Sequence, residues 1–91
     1  MNPLAKASAD ILSAHLEGEA VLLHLGTKAY FKLNATAAAI WKGIEAGEDE
    51  DALVARLVAG LEVDAGQARS ELRRTLTDLR ERGVIVRWSA S

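Results

Sequence analysis

At Asn34 the hydrophobic period of this 91-residue chain changes, and that change fixes the fold class. Before it, short apolar alternations are broken by the glycine-containing triplets Glu17-Gly18-Glu19 and Gly26-Thr27-Lys28. The runs on either side, residues 11–16, 20–25 and 29–33, predict three strands. Breaks this short join only antiparallel neighbours, so the strands form a meander. In the third strand Ala29, Phe31 and Leu33 share one face, while Tyr30 and Lys32 share the other. The first set is expected to face the core.

After Asn34 the apolar residues recur at helical spacing. Ala37, Ile40, Trp41 and Ile44 fall on one face of a helix over 35–46, which Gly47 ends. Leu53, Val54, Leu57 and Leu61 mark a second over 50–61, and Ala68, Leu72, Leu76 and Leu79 a third and longest. Asn34, Asp49 and Asp64 stand just before the three, where a side-chain oxygen can accept from the free amides of a first turn. Gly83 suits the left-handed position that closes the third. Residues 84–88 alternate as a short final strand, and residues 1–10 read as a flexible lead-in to a single domain over 11–88. Strands followed by helices make an α+β fold.

Composition removes several function classes. There is no cysteine, which excludes disulfides and thiolate chemistry and fits a reducing compartment. No apolar run approaches the roughly 20 residues of a membrane span, and the first ten residues do not form a secretory signal, so a cytoplasmic location with no membrane partner is expected. A net charge of −2 argues against nucleic acid as the partner. His15 and His24 lie on neighbouring strands but have no third ligand at metal-site spacing. No serine sits in a nucleophile elbow and no glycine-rich phosphate loop exists. The acidic run 48–51 reads as helix capping. The expectation is a protein without catalytic residues, metal or cofactor.

Two features point to binding. On the third helix Arg69, Arg73 and Arg80 fall on one flank of the buried stripe, with Glu71 and Asp78 on the other and Arg82 close by. Guanidinium groups suit carboxylates and phosphates, and the same row could equally form ion pairs on a solvated face. The third strand would be an edge unless the last strand or a helix covers it. An open edge beside a groove allows an extended peptide to add as a strand. Lys28, Ala29, Tyr30, Phe31, Lys32 and Leu33 would form one wall of that groove. Arg69, Leu72, Arg73, Leu76 and Arg80 would form the other. The competing readings are a winged-helix nucleic-acid binder using the arginines, and a structural subunit that dimerises through an apolar edge.

Gly26, Tyr30-Phe31, Leu33-Asn34, Thr36-Ala37-Ala38 and Ile40-Trp41, joined to the closing Leu79-Arg80-Glu81-Arg82-Gly83-Val84-Ile85, resemble the PqqD family across nearly the whole chain. That family is named for the peptide chaperone of pyrroloquinoline quinone biosynthesis, and its fold recurs as the RiPP recognition element. The resemblance implies a winged-helix-like domain with no activity of its own. It would be a three-stranded antiparallel sheet followed by three helices and a short C-terminal strand. It also implies that a precursor's leader peptide adds to the third strand and lies against the third helix, for delivery to a modifying enzyme or leader protease. Members devoted to the quinone often carry a Tyr-Pro-Glu-Gly-like turn, where this chain has Leu25-Gly26-Thr27-Lys28. That departure favours a stand-alone element of another pathway, lasso-peptide biosynthesis being a leading candidate and a quinone-biosynthesis peptide chaperone the alternative. A monomer or weak homodimer is expected.

Overall fold

The computed structural model describes residues 4–88. Its elements are β1 (Ala5–Ala7), β2 (Ile11–Leu16), β3 (Glu19–His24), β4 (Tyr30–Leu33), α1 (Ala35–Glu45), α2 (Glu50–Leu61), α3 (Ala65–Glu81) and β5 (Ile85–Trp88). β2, β3 and β4 form the antiparallel meander in that order, and β5 pairs instead with β1. The three predicted caps are all made. Asn34, Asp49 and Asp64 accept from the amides of Ala37, Ala52 and Gln67 at 2.9, 2.9 and 2.7 Å. Gly83 takes the left-handed conformation, with φ at 75°.

The N-terminal segment departs from its expected looseness. From Leu4 on it is built into the fold: Leu4 and Ala5 are buried, and the Leu4 amide donates to the Glu48 carbonyl at 3.0 Å. β1 pairs antiparallel with β5, Ala5 opposite Trp88. Three residues, Ala-Lys-Ala, are too few to show a period, and their partner lies at the far end of the chain. Met1, Asn2 and Pro3 lie outside the described residues. This pairing matters for function. It takes β5 away from the meander and leaves β2 and β4 each with β3 as their strand neighbour.

The core lies between the inner face of the meander and the three helices. Ala20, Leu22 and Leu33 meet Ile40, Trp41, Leu53, Leu57, Leu72, Leu76 and Leu79 there, with Val84 and Ile85 closing it. Trp41 is buried with its indole N–H unpartnered among the described residues, so its contribution is apolar volume. Gly43 sets how closely α1 and α2 approach. A β-carbon there would stand 2.0 Å from a methyl of Leu53, itself fully buried and unable to swing away. Gly43→Ala gains about 1 kcal/mol of helix propensity but overpacks this contact at about 1–3 kcal/mol. Net destabilisation in urea unfolding is the expected outcome.

The loop between α1 and α2 is fastened by Arg56, whose Nε and Nη2 donate to the two carboxylate oxygens of Glu48 at 3.0 and 2.7 Å. These hydrogen bonds hold the Glu48 carboxyl below its ordinary range, against the opposing effect of partial burial. A carboxylate with a depressed folded-state pKa stabilises the fold above its unfolded-state pKa. That contribution is lost as pH falls through the folded value. Glu48→Gln should therefore lower the melting temperature at neutral pH and shrink the further loss on acidification below the ordinary carboxylate range.

Candidate functional site

The register of the meander decides which backbone groups are free at its edges. Leu33, Lys32, Phe31 and Tyr30 stand opposite Ala20, Val21, Leu22 and Leu23. Beyond them the His24 amide donates to the Ala29 carbonyl at 2.9 Å. In an antiparallel ladder, bonded pairs alternate with non-bonded ones. The backbone groups of Ala29, Phe31 and Leu33 therefore turn to β3, and those of Tyr30 and Lys32 turn outward. Lys28 precedes the strand in a left-handed conformation, its amide donating to the His24 carbonyl at 2.7 Å. The edge is short, and Tyr30 on it is 73% exposed.

Beside this edge lies an open groove of about 810 Å³. Lys32, Leu33 and Asn34 form its strand wall, and Thr36 and Ala37 at the start of α1, Leu61 at the end of α2 and Val63 beyond it contribute its floor. The helical wall is one stripe of α3: Gln67, Glu71, Arg74, Thr75 and Asp78, with Leu79 beneath. Arg74 pairs with Glu71, and Arg82 with Asp78 at 3.0 Å. The Arg82 guanidinium also lies 5.4 Å from the centre of the half-buried Phe31 ring, linking the end of α3 to β4. The result is an apolar floor, a rim carrying both signs of charge, and one row of backbone groups that pairs with no strand among the described residues. Such a site can bind an extended peptide, with hydrogen bonds from the edge and apolar side chains seated alternately against the floor.

The strand residues expected at the site are at this edge or in the turn before it. The helix residues are not where the sequence reading put them. Leu72 and Leu76 are fully buried in the core, beneath the groove rather than in it. Arg69 and Arg73 face α2, where both pair with Glu50, Arg73 at 3.1 Å, and Arg69 also reaches Asp51 at 3.8 Å. Arg80, one heptad beyond Arg73, is exposed and does not line the groove. The helix presents its other flank, that of Glu71 and Asp78, to the strand. Helical periodicity locates the two flanks but not which one faces the sheet. The acidic first turn of α2 is the sign in the sequence that these arginines have a partner there. Of the row, Arg69 and Arg73 are thus engaged in ion pairs internal to the fold.

The two histidines also separate. His15 Nε2 lies 2.7 Å from Glu45 Oε1, and the Ser13 hydroxyl donates to the other oxygen of Glu45 at 2.8 Å. His24 Nδ1 accepts from the amides of Gly26 and Thr27 at 3.1 and 3.3 Å, shaping the turn into β4. Among the described residues no cluster of three or more acidic, histidine or cysteine side chains could hold a metal ion. No helix among them is long and apolar enough to cross a membrane.

A feature the sequence reading did not single out is the outer face of the meander. Pairing puts Leu12, Ala14 and Leu16 on the same side as Val21, Leu23 and Tyr30. Leu12 and Leu16 are 56% and 54% exposed, and among the described residues no helix covers this side. The face reaches the β4 edge, so a strand added to β4 would extend it.

Residues 19–85 match the family described as Coenzyme PQQ synthesis protein D (PqqD). The chain belongs to the PqqD family. Two solved structures resemble it over almost their full length. One, described as TbiB1 in complex with the TbiA(beta) leader peptide, is 33% identical with a TM-score of 0.87, covering 93% of this chain and 99% of that one. The other, a lasso peptide synthetase B1 complexed with the leader peptide, is 25% identical with a TM-score of 0.83, covering 92% and 99%. Curated protein sequences yield no match. Both structural relatives in this PqqD-type fold hold a leader peptide.

Proposed function

We propose that this chain is a non-catalytic cytoplasmic adaptor that binds the leader of a ribosomally made precursor peptide along β4 and presents it to a modifying enzyme or leader protease. The observation that carries the reading is the open β4 edge beside an apolar-floored groove, in a fold whose structural relatives are leader complexes. The likeness to a lasso peptide synthetase B1 and the Leu-Gly-Thr-Lys turn both favour a lasso or related pathway over quinone biosynthesis.

The leader's backbone bonds to Tyr30 and Lys32. Alternate leader side chains then fall into the groove against Leu33, Ala37, Leu61 and Val63, and the intervening ones join the outer face beside Tyr30. An enzyme docking on that apolar face meets adaptor and leader together, which favours the loaded adaptor over the empty one. Large exposed apolar patches of this kind mark interaction surfaces.

Charge reversal separates the two flanks of α3. Arg74→Glu, on the groove rim, should shift leader affinity several-fold and alter its salt dependence. Arg73→Glu should lower thermal stability through its contact with Glu50 and leave the affinity of the folded protein within about twofold, since a site that shares no partner with the groove couples weakly to it. The decisive experiment is a fluorescence-polarisation titration with leader segments of the precursor peptides encoded beside this gene. Saturable binding to one of them is expected. A folded protein that binds none of them would refute the reading.

A further inference from the structure

The second open edge of the meander, β2, differs from β4 in composition and surroundings. Its six residues, Ile-Leu-Ser-Ala-His-Leu, contain no lysine, no proline and no bulge, the devices by which edge strands avoid pairing with one another. From Leu12 to Leu16 every residue is exposed. Because β3 turns the backbone of Ala20, Leu22 and His24 toward β4, it meets β2 through Glu19, Val21 and Leu23, which stand opposite Leu16, Ala14 and Leu12. The outward backbone groups of β2 are therefore those of Ser13 and His15, with Ile11 at the end already donating to the Ser8 carbonyl at 3.4 Å.

We infer that β2 is a self-association edge, and that its occupant is β2 of a second copy of this chain, paired antiparallel about a two-fold axis at Ala14. The sequence is self-complementary in that register. Ser13 stands opposite His15 of the partner subunit, and His15 opposite Ser13 of the partner subunit. Two such bonded pairs give about four backbone hydrogen bonds. On the outer face, the exposed Leu12 meets Leu16 of the partner subunit, Ala14 meets Ala14 of the partner subunit, and Leu16 meets Leu12 of the partner subunit. Large residues flank a small one at the closest approach, and no like charges are brought together on that face. The pairing is isologous and closes on itself. It joins two meanders into one six-stranded sheet whose two outer edges are both β4, so each copy keeps its groove. The exposure of Leu12 and Leu16 then has a specific cause: each covers the other's counterpart.

The inference is independent of leader binding and is tested apart from it. Sedimentation equilibrium of the full chain over micromolar to millimolar concentrations should show the mass rising from 9.7 kDa toward twice that value. Ala14→Lys and Ala14→Glu should each hold the protein at the monomer mass, since each sets like charges across the axis. An equimolar mixture of the two should regain the doubled mass. Ser13→Pro, which removes an outward amide and leaves the β2–β3 ladder and the apolar face intact, should also abolish the rise. A wild-type chain that stays at the monomer mass throughout would overturn the inference. So would a doubled mass that Ala14→Lys and Ser13→Pro leave unchanged, because the copies would then meet face to face or through another edge. Leader titration of Ala14→Lys should match wild type, which keeps a failure of this proposal distinct from a failure of the adaptor reading.

Discussion

Lys32→Pro should weaken leader binding by about a hundredfold and leave the domain folded. The Lys32 amide points away from β3, so proline there deletes no bond of the meander, and an edge strand tolerates it. The bound leader, by contrast, loses a donor and is left with a carbonyl buried and unpaired, at a cost of about 1–3 kcal/mol. The pyrrolidine ring also occupies the line along which the leader backbone must lie. Lys32→Ala should keep the affinity within a few-fold, because the exposed side chain pairs only loosely with Glu19 at 3.5 Å. Phe31→Pro should do something different. It removes a bond to β3 and the ring beneath Arg82, so it destabilises the fold itself. Normal leader binding by a folded Lys32→Pro variant would mean that the peptide uses another edge.

Leu72→Ala and Leu76→Ala should unfold the protein rather than empty a binding pocket. Both side chains are fully buried between α3 and the other helices. Truncating such a leucine costs about 2–5 kcal/mol, the transfer term plus the cavity left behind. For a domain of this size that corresponds to a fall in melting temperature of roughly 10–30 °C, a large share of a marginal stability. Thermal melts followed by circular dichroism check the magnitude. At a temperature where the variant is still folded, its leader affinity should equal that of wild type. A variant with unchanged melting temperature and lost binding would instead return these leucines to the groove.

These two cases also mark what could be read from the sequence. The meander was legible because glycine-containing breaks allow only hairpins, and the helices because each begins at a side chain able to cap it: Asn34, Asp49 and Asp64. The inward face of β4 followed from period-two alternation, and Phe31 and Leu33 do face in. Two things were not legible. β1 is too short to carry a period, so its pairing with β5 had no local signal. The rotation of α3 about its own stripe depends on where α2 lies, and no property of α3 alone reports that. Of the two roles open to the arginine row from sequence, Arg69 and Arg73 take the ion-pair one, with Glu50 between them. The groove is lined from the other flank of the helix, by Glu71, Arg74 and Asp78.

Amide hydrogen exchange, resolved by residue with and without the leader, tests the central claim most directly. In the free protein the amides of Phe31 and Leu33 should be protected by β3, while those of Tyr30 and Lys32 exchange freely. Saturating leader should protect Tyr30 and Lys32 and leave Ser13 and His15 on the far edge unchanged. Protection appearing at β2, or at the exposed side of α3 with Tyr30 and Lys32 still exchanging freely, would contradict strand addition at β4.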